Sequence, residues 1–322
     1  MTNFQVYKKT LSFSLVGFVV DLIVLAVWAT IGVIGFKVTE STSDKGLIGL
    51  TIGLVVGIIV AIIIKVFVSN TLKAGQVAMM TKGVTEDELP EKTFHEGRKL
   101  VKERFASITA FFFITGAIKG IFRQLMRAIN RVASAVGGET GNAISSAIDA
   151  AVQILIGYLC DCCLGWVFYR KELGTARAAC EGSVIFFKHG KTLIKNIGRI
   201  FGMGALGLIV IGGGFFGIFY GICNLMSGSF NTLALEVTEA LKRAGDTDAS
   251  FLTNPNNLML ITSGLLALII YGMIHSVFIR PFILVGVLRN FTAAGVKETP
   301  TEKEFSTLTE KSPKFAKLYS QI

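Results

Sequence analysis

Long apolar runs alternate with short basic stretches along the whole chain. A helix needs roughly 20 mostly apolar residues to cross the hydrocarbon layer of a bilayer. Six segments meet that requirement: about 11–36, 46–68, 105–126, 143–169, 198–223 and 257–280. The third is the least regular, because Lys119 and Arg123 intrude near its end, and a re-entrant hairpin is its other reading. Lys119, Arg123, Arg127 and Arg131 recur every fourth residue and share one helical face. That pattern describes an amphipathic helix at a headgroup layer. The expected fold is all-α: a polytopic helical membrane protein with about six transmembrane helices and amphipathic interfacial helices.

The polar positions set the orientation. With the N-terminus inside and six crossings, 24 of the 32 Lys and Arg fall in inner segments. Basic residues accumulate in cytoplasmic loops, so both termini are expected to be cytoplasmic, in a plasma membrane. The tail from Thr299 to Ile322 is rich in Lys, Glu and Ser and is expected to be loosely ordered. The stretches 69–104 and 281–322 are each too short to form a domain.

An internal duplication is expected from two short alignments. "VFVSNTLKAGQVAMMTKGVTEDELPEKTF" (66–94) overlays "VFIRPFILVGVLRNFTAAGVKETPTEKEF" (277–305), matching Val66–Phe67 to Val277–Phe278 and Gly75 to Gly286. Upstream, "FQVYKKTL" (4–11) overlays "FFKHGKTL" (186–193). The single membrane domain, 1–322, then divides into a first repeat (1–94), a central hairpin (95–185), a second repeat (186–305) and a tail (306–322).

Composition sharpens this picture. The chain is 52% hydrophobic and 17% charged, against about 25% charged in soluble domains. The net charge of +10 fits inner loops facing anionic lipid. No nucleic-acid motif accompanies it, so nucleic acid is not an expected partner. The apolar run after Lys8 and Lys9 is too long for a signal-peptide core and reads as a retained span.

Candidate chemistry concentrates in 143–169. Ser145, Asp149, Gln153, Gly157 and Asp161 follow a strict i, i+4 series and form one slowly drifting stripe. A carboxylate at the bilayer centre costs at least about 2.5–3.5 kcal/mol, so the stripe is expected to face other helices or a wet cavity. Asp149, Gln153 and Asp161, with His275 in the last span, are the transport-path candidates. Interhelical pairing with Lys65 or Lys119 is the structural alternative, and Asp21 reads as a structural partner of a basic or amide group. Gly49, Gly53 and Gly57, and again Gly213, Gly217 and Gly221, are spaced for close helix packing. "CDCC" lacks a nearby histidine or a second Cys pair with finger-like spacing, so no metal and no cofactor is expected. A palmitoylated cysteine near the inner headgroups is an alternative use. No hydrolase, P-loop or dinucleotide pattern occurs, and enzyme activity is not expected.

"YLCDCCLGWVFYRK", then "ARAACEGSVIFFKHGKTLIKNIGRI", two spans and "VFIRPFILVGVLRNFTAAG" resemble the C-terminal region of choline transporter-like membrane proteins, over roughly 155–295. The large extracellular loop of that family is absent, and the acidic residues it carries after the last span are replaced by "RPFILVGVLRNF". The resemblance implies a transporter-like scaffold for a small cationic amine and assigns no site residue. The leading functional expectation is a transporter or channel-like protein moving a small solute or ion along an acid-lined path. The alternative is a non-transporting scaffold, assembly or membrane-shaping protein. Expected partners are membrane lipids, a small-molecule or ion substrate, and other copies of the chain.

Overall fold

The computed structural model describes residues 1–43, 46–134, 141–194, 197–244, 251, 253–320 and 322; the side chains of 42–43, 47, 66–67, 125–134, 141–152, 190–194, 197–201, 240 and 243–244 are also outside the description. Every regular element among the described residues is helical. The helices are α1 (Asn3–Ser43), α2 (Gly46–Thr85), α3 (Thr93–Glu103), α4 (Phe105–Ser134), α5 (Gly141–Tyr169), α6 (Thr175–Ile194), α7 (Ile197–Gly207), α8 (Gly213–Leu225), α9 (Ser227–Ala244), α10 (Pro255–Ile274), α11 (Arg280–Lys297), α12 (Glu302–Lys311) and α13 (Pro313–Tyr319). π-helical turns, Leu208–Gly212 and His275–Ile279, join α7 to α8 and α10 to α11.

Among the described residues, five helical stretches are long and apolar enough to cross a membrane: Asn3–Ser41, Ile48–Thr85, Phe105–Gln124, Gly202–Leu225 and Pro255–Lys297. The described apolar part of the fourth expected segment, Gln153–Tyr169, is shorter.

The chain divides into two compact units, Met1–Arg199 with Arg280–Ile322, and Ile200–Ile279. In the first, α1 and α2 form a tight antiparallel hairpin. A Cβ added at Gly53 would lie 2.6 Å from the Ile31 carbonyl oxygen, and one at Gly57 2.8 Å from Trp28 Cδ1. Gly49 sits directly against the Gly35 carbonyl. Only glycine permits such an approach. The Trp28 indole N–H donates to the Leu54 carbonyl across the same seam, at 3.1 Å.

Each rod has two solvation regimes. Val19, Ile23, Ile52, Val55, Ile59 and Ile63 are exposed apolar residues, as lipid-facing positions are. One end is instead packed: Val6, Thr10 and Phe13 of α1, and Ala74 and Val77–Thr81 of α2, are buried. They join α5, α6 and α11 in a common core holding Trp166, Phe168, Ile185 and Phe291. The stretches 69–104 and 281–322 are therefore parts of one core rather than isolated pieces. α5 is buried from Leu155 to Phe168 except at the half-buried Gly157, because other helices pack around it.

Local sequence explains the ends and breaks. α2 stops after Gly83 and two β-branched residues, and Asp87 takes a left-handed φ of 57° that aspartate tolerates better than most residues. α10 begins with Pro255, and the Asn254 side chain accepts from the Asn256 N–H. Pro281 lacks the N–H that would bond the carbonyl four residues back, and the π-helical turn immediately before it absorbs the fault. A Thr301–Glu304 capping box starts α12, and Ser312 caps α13.

The tail departs from expectation. Residues 302–319 form two helices whose Phe305, Leu308, Phe315 and Leu318 are buried. Arg177 lies 4.2 Å over the Phe305 ring and pairs with Glu302 at 2.7 Å, while Tyr319 donates to Glu302 at 2.7 Å. Lys188 reaches Glu304 at 2.6 Å and Glu298 at 3.0 Å. Four apolar anchors and these ion pairs offset the ordering entropy that low hydrophobicity alone would leave uncompensated.

Candidate functional site: the polar stripe of α5

α2, α5 and α11 run parallel through the core of the first unit. Asp161 meets α2 at Lys73 and α11 at Arg280; one turn on, a Cβ at Gly165 would meet Thr81 Oγ1 at 2.7 Å and Leu288 Cδ1 at 2.8 Å. α4 runs the opposite way, with Arg104 donating to the Val167 carbonyl at 2.6 Å and Arg123 to Gln153 Oε1 at 3.0 Å.

Each described member of the stripe therefore faces a cation. Gln153 accepts from Arg123. Gly157 leaves room for Arg280, whose Nη2 lies 3.3 Å from where a Cβ would sit. Asp161 is buried; Oδ1 is 2.5 Å from Lys73 Nζ, and Oδ2 accepts from Arg280 Nη2 at 2.7 Å. The Arg280 guanidinium also lies 5.6 Å from the centre of the Tyr158 ring. A buried carboxylate is tolerated when its charge is paired and its lone pairs are used, and both conditions hold here. The side chains of Ser145 and Asp149 lie outside the described residues.

The sequence pointed to Lys65 or Lys119 as partner of the acids. Instead, Lys65 reaches Asp21 of α1 at 3.1 Å. The two lie at nearly equal distances along the hairpin from its turn, the only signal that could have paired them. Lys73 and Arg280 were missed because their partnership with Asp161 is set by packing across three helices.

A second buried acid, Glu181 of α6, was also missed. It accepts from the Trp166 indole at 3.0 Å and pairs with Arg170 at 3.0 Å. Arg170 is shared with Glu172, whose carboxyl is held below its usual range by a hydrogen bond to its own backbone and then by that arginine.

His275 belongs to the second unit. It opens the π-helical turn His275–Ile279, its ring centre is 5.6 Å from that of Tyr271, and Tyr271 donates to the Gly204 carbonyl at 2.7 Å. The structure thus gathers Gln153 and Asp161 on one face and describes His275 in another unit. Gly213, Gly217 and Gly221 have no atom within 4 Å of an added Cβ, so in this chain they do not form the close seam that Gly49, Gly53 and Gly57 form.

Cys160, Cys162, Cys163, Cys180 and Cys223 are free and buried. Cys163 Sγ packs 2.9 Å from the Cβ position of Gly182, as a small apolar filler would. Among the described residues, no three His, Cys, Asp or Glu side chains converge to hold a metal.

No protein-family model, curated protein or solved structure matches the chain.

Proposed function

We propose that this is a non-transporting helical scaffold of the membrane, in which the buried charges of the helical core serve assembly. One observation carries the choice. Asp161, the described acid of the stripe, is buried and gives one oxygen to Lys73 and the other to Arg280. A conduit needs a wet carboxylate free to change partners; this one is a fixed three-way clamp between α2, α5 and α11.

In this reading α1, α2, α7–α8 and α10 cross the membrane, and α4–α5 is a re-entrant hairpin. The termini lie on the cytoplasmic side of a plasma membrane. The parallel course of α2 and α11, each followed by an acidic turn and a short helix, supports the duplication of 66–94 and 277–305. The core is then a platform on the inner face, able to receive a partner protein or a second copy.

The test is a solute-flux screen of the purified protein in liposomes beside a stability measurement of Asp161→Asn. The scaffold reading expects no protein-dependent flux and a destabilised variant. A flux that Asp161→Asn abolishes while the fold holds would overturn it.

A transport path is the second reading, favoured by the second unit. There a π-helical turn interrupts each of the two long apolar helices, and such turns are frequent at functional sites. Loss of a measured flux in His275→Gln would support that path.

A further inference from the structure

Between α3, α2 and the start of α4 lies a cavity of about 560 Å³. His95, Arg98, Lys99 and Lys102 line it. On α3 they fall at i, i+3, i+4 and i+7, a single helical stripe. All four are exposed, whereas Thr93, Gly97 and Val101 bury the opposite side of α3 in the core. Glu96 and Glu103 fall to one side of the basic stripe, and no carboxylate lines the cavity among the described residues. The remaining wall is Thr71 of α2, Val101 and Phe105, and Phe105 is 62% exposed.

The position along α2 matters as much as the charge. Thr71 lies between the exposed apolar residues Ile62, Ile63 and Val68 and the buried block that begins at Ala74. This is where the helix passes from lipid-like surroundings into the protein core, the level at which headgroups sit. The cavity volume is within the usual range for a small-molecule site. Its contents must match several clustered cations and an apolar edge together. A free anion satisfies only the cations, and a neutral lipid only the edge.

We propose that this cavity binds the phosphate headgroup of an anionic phospholipid, with Arg98, Lys99 and Lys102 on the phosphate and Phe105 against the upper acyl chain. The site is independent of the scaffold reading, since a transporter could hold the same lipid.

The test uses the full chain in neutral detergent, titrated with phosphatidylglycerol, phosphatidylcholine or inorganic phosphate, with bound lipid counted by native mass spectrometry. Phosphatidylglycerol should bind at least roughly tenfold tighter than phosphatidylcholine. The preference should vanish in Arg98→Gln/Lys99→Gln/Lys102→Gln. It should persist in Lys171→Gln/Lys297→Gln/Lys303→Gln, which removes equal charge elsewhere. Because the first variant could misfold, the wild-type preference is also measured against salt. It should shrink as ionic strength rises, and a salt-independent preference overturns the proposal. Equal binding of the two lipids, or retention of phosphatidylglycerol by the first variant at wild-type affinity, also overturns it. Complete displacement of phosphatidylglycerol by millimolar phosphate would reassign the cavity to free phosphate and overturn the lipid assignment.

Discussion

Replacing Asp161 by asparagine removes one negative charge and almost no volume. Lys73 and Arg280 would then face a neutral amide able to accept one of their hydrogen bonds but not to balance their charge. Breaking a fully buried pair costs about 3–5 kcal/mol, because the orphaned charge cannot return to water. Here the orphans are partly solvated, with side chains 36% exposed for Lys73 and 32% for Arg280. Each can turn outward and recover part of its hydration, so the cost is discounted to about 2–3 kcal/mol. For a unit of this size that corresponds to a melting shift of about 5–10 °C. The measurement is a thermal melt of the purified protein in detergent, read by near-UV circular dichroism, beside Arg280→Gln and the double variant. The double variant should be less destabilised than the sum of the singles, since Arg280 no longer needs the partner that is gone. A melt of Asp161→Asn within about 1 °C of wild type would refute the clamp. Strict additivity of the two changes would refute the pairing of these two residues.

Four further outcomes are expected. Gly53→Ala should cost about 1–3 kcal/mol, because its methyl group meets the Ile31 carbonyl oxygen at 2.6 Å; Gly217→Ala, with open space around it, should melt like wild type. Phe315→Ala should cost about 3–5 kcal/mol and release the tail to limited proteolysis. Glu302 is held below the ordinary glutamate range by the Tyr319 hydroxyl and then Arg177, so its contribution is present above that range and is lost as pH falls through the lowered value. Proteolysis of the tail should therefore accelerate only under strongly acidic conditions, and Glu302→Gln should weaken the pH dependence, with the Lys188–Glu304 pair keeping its own share. Cysteines placed at 232 and 303 should be labelled from opposite sides of sealed cells, outside and inside respectively; labelling of both from one side would refute the topology.

The apolar runs made the long helices legible, because one dimension of sequence suffices to show a rod that lipid can solvate. The i, i+4 stripe likewise identified the face of α5 that takes polar partners. The partners themselves were not legible, because Lys73 lies 88 positions before Asp161 and Arg280 119 positions after it, and packing alone unites the three. The tail was misread for a different reason. Its apolar anchors come as two i, i+3 pairs, Phe305 with Leu308 and Phe315 with Leu318, separated by the break at Ser312–Pro313. Each pair alone is too brief to stand out from a charged background, yet α12 packs on α6 and α13 on both α4 and α6.

The unbroken course of α2 has a mechanical consequence. Forty residues of continuous helix make a strut about 60 Å long, with lipid-like surroundings up to Val68 and the core from Ala74 onward. Such a strut has no hinge at the boundary, and the Asp21–Lys65 clip binds it to α1 near its middle. A tilt of about 10° in the outer half must therefore reappear as a displacement of about 5 Å at the inner end. In the proposed topology, bilayer thickness, to which a long apolar helix adjusts by tilting, thus becomes a geometric input to the core, delivered by leverage without any ligand.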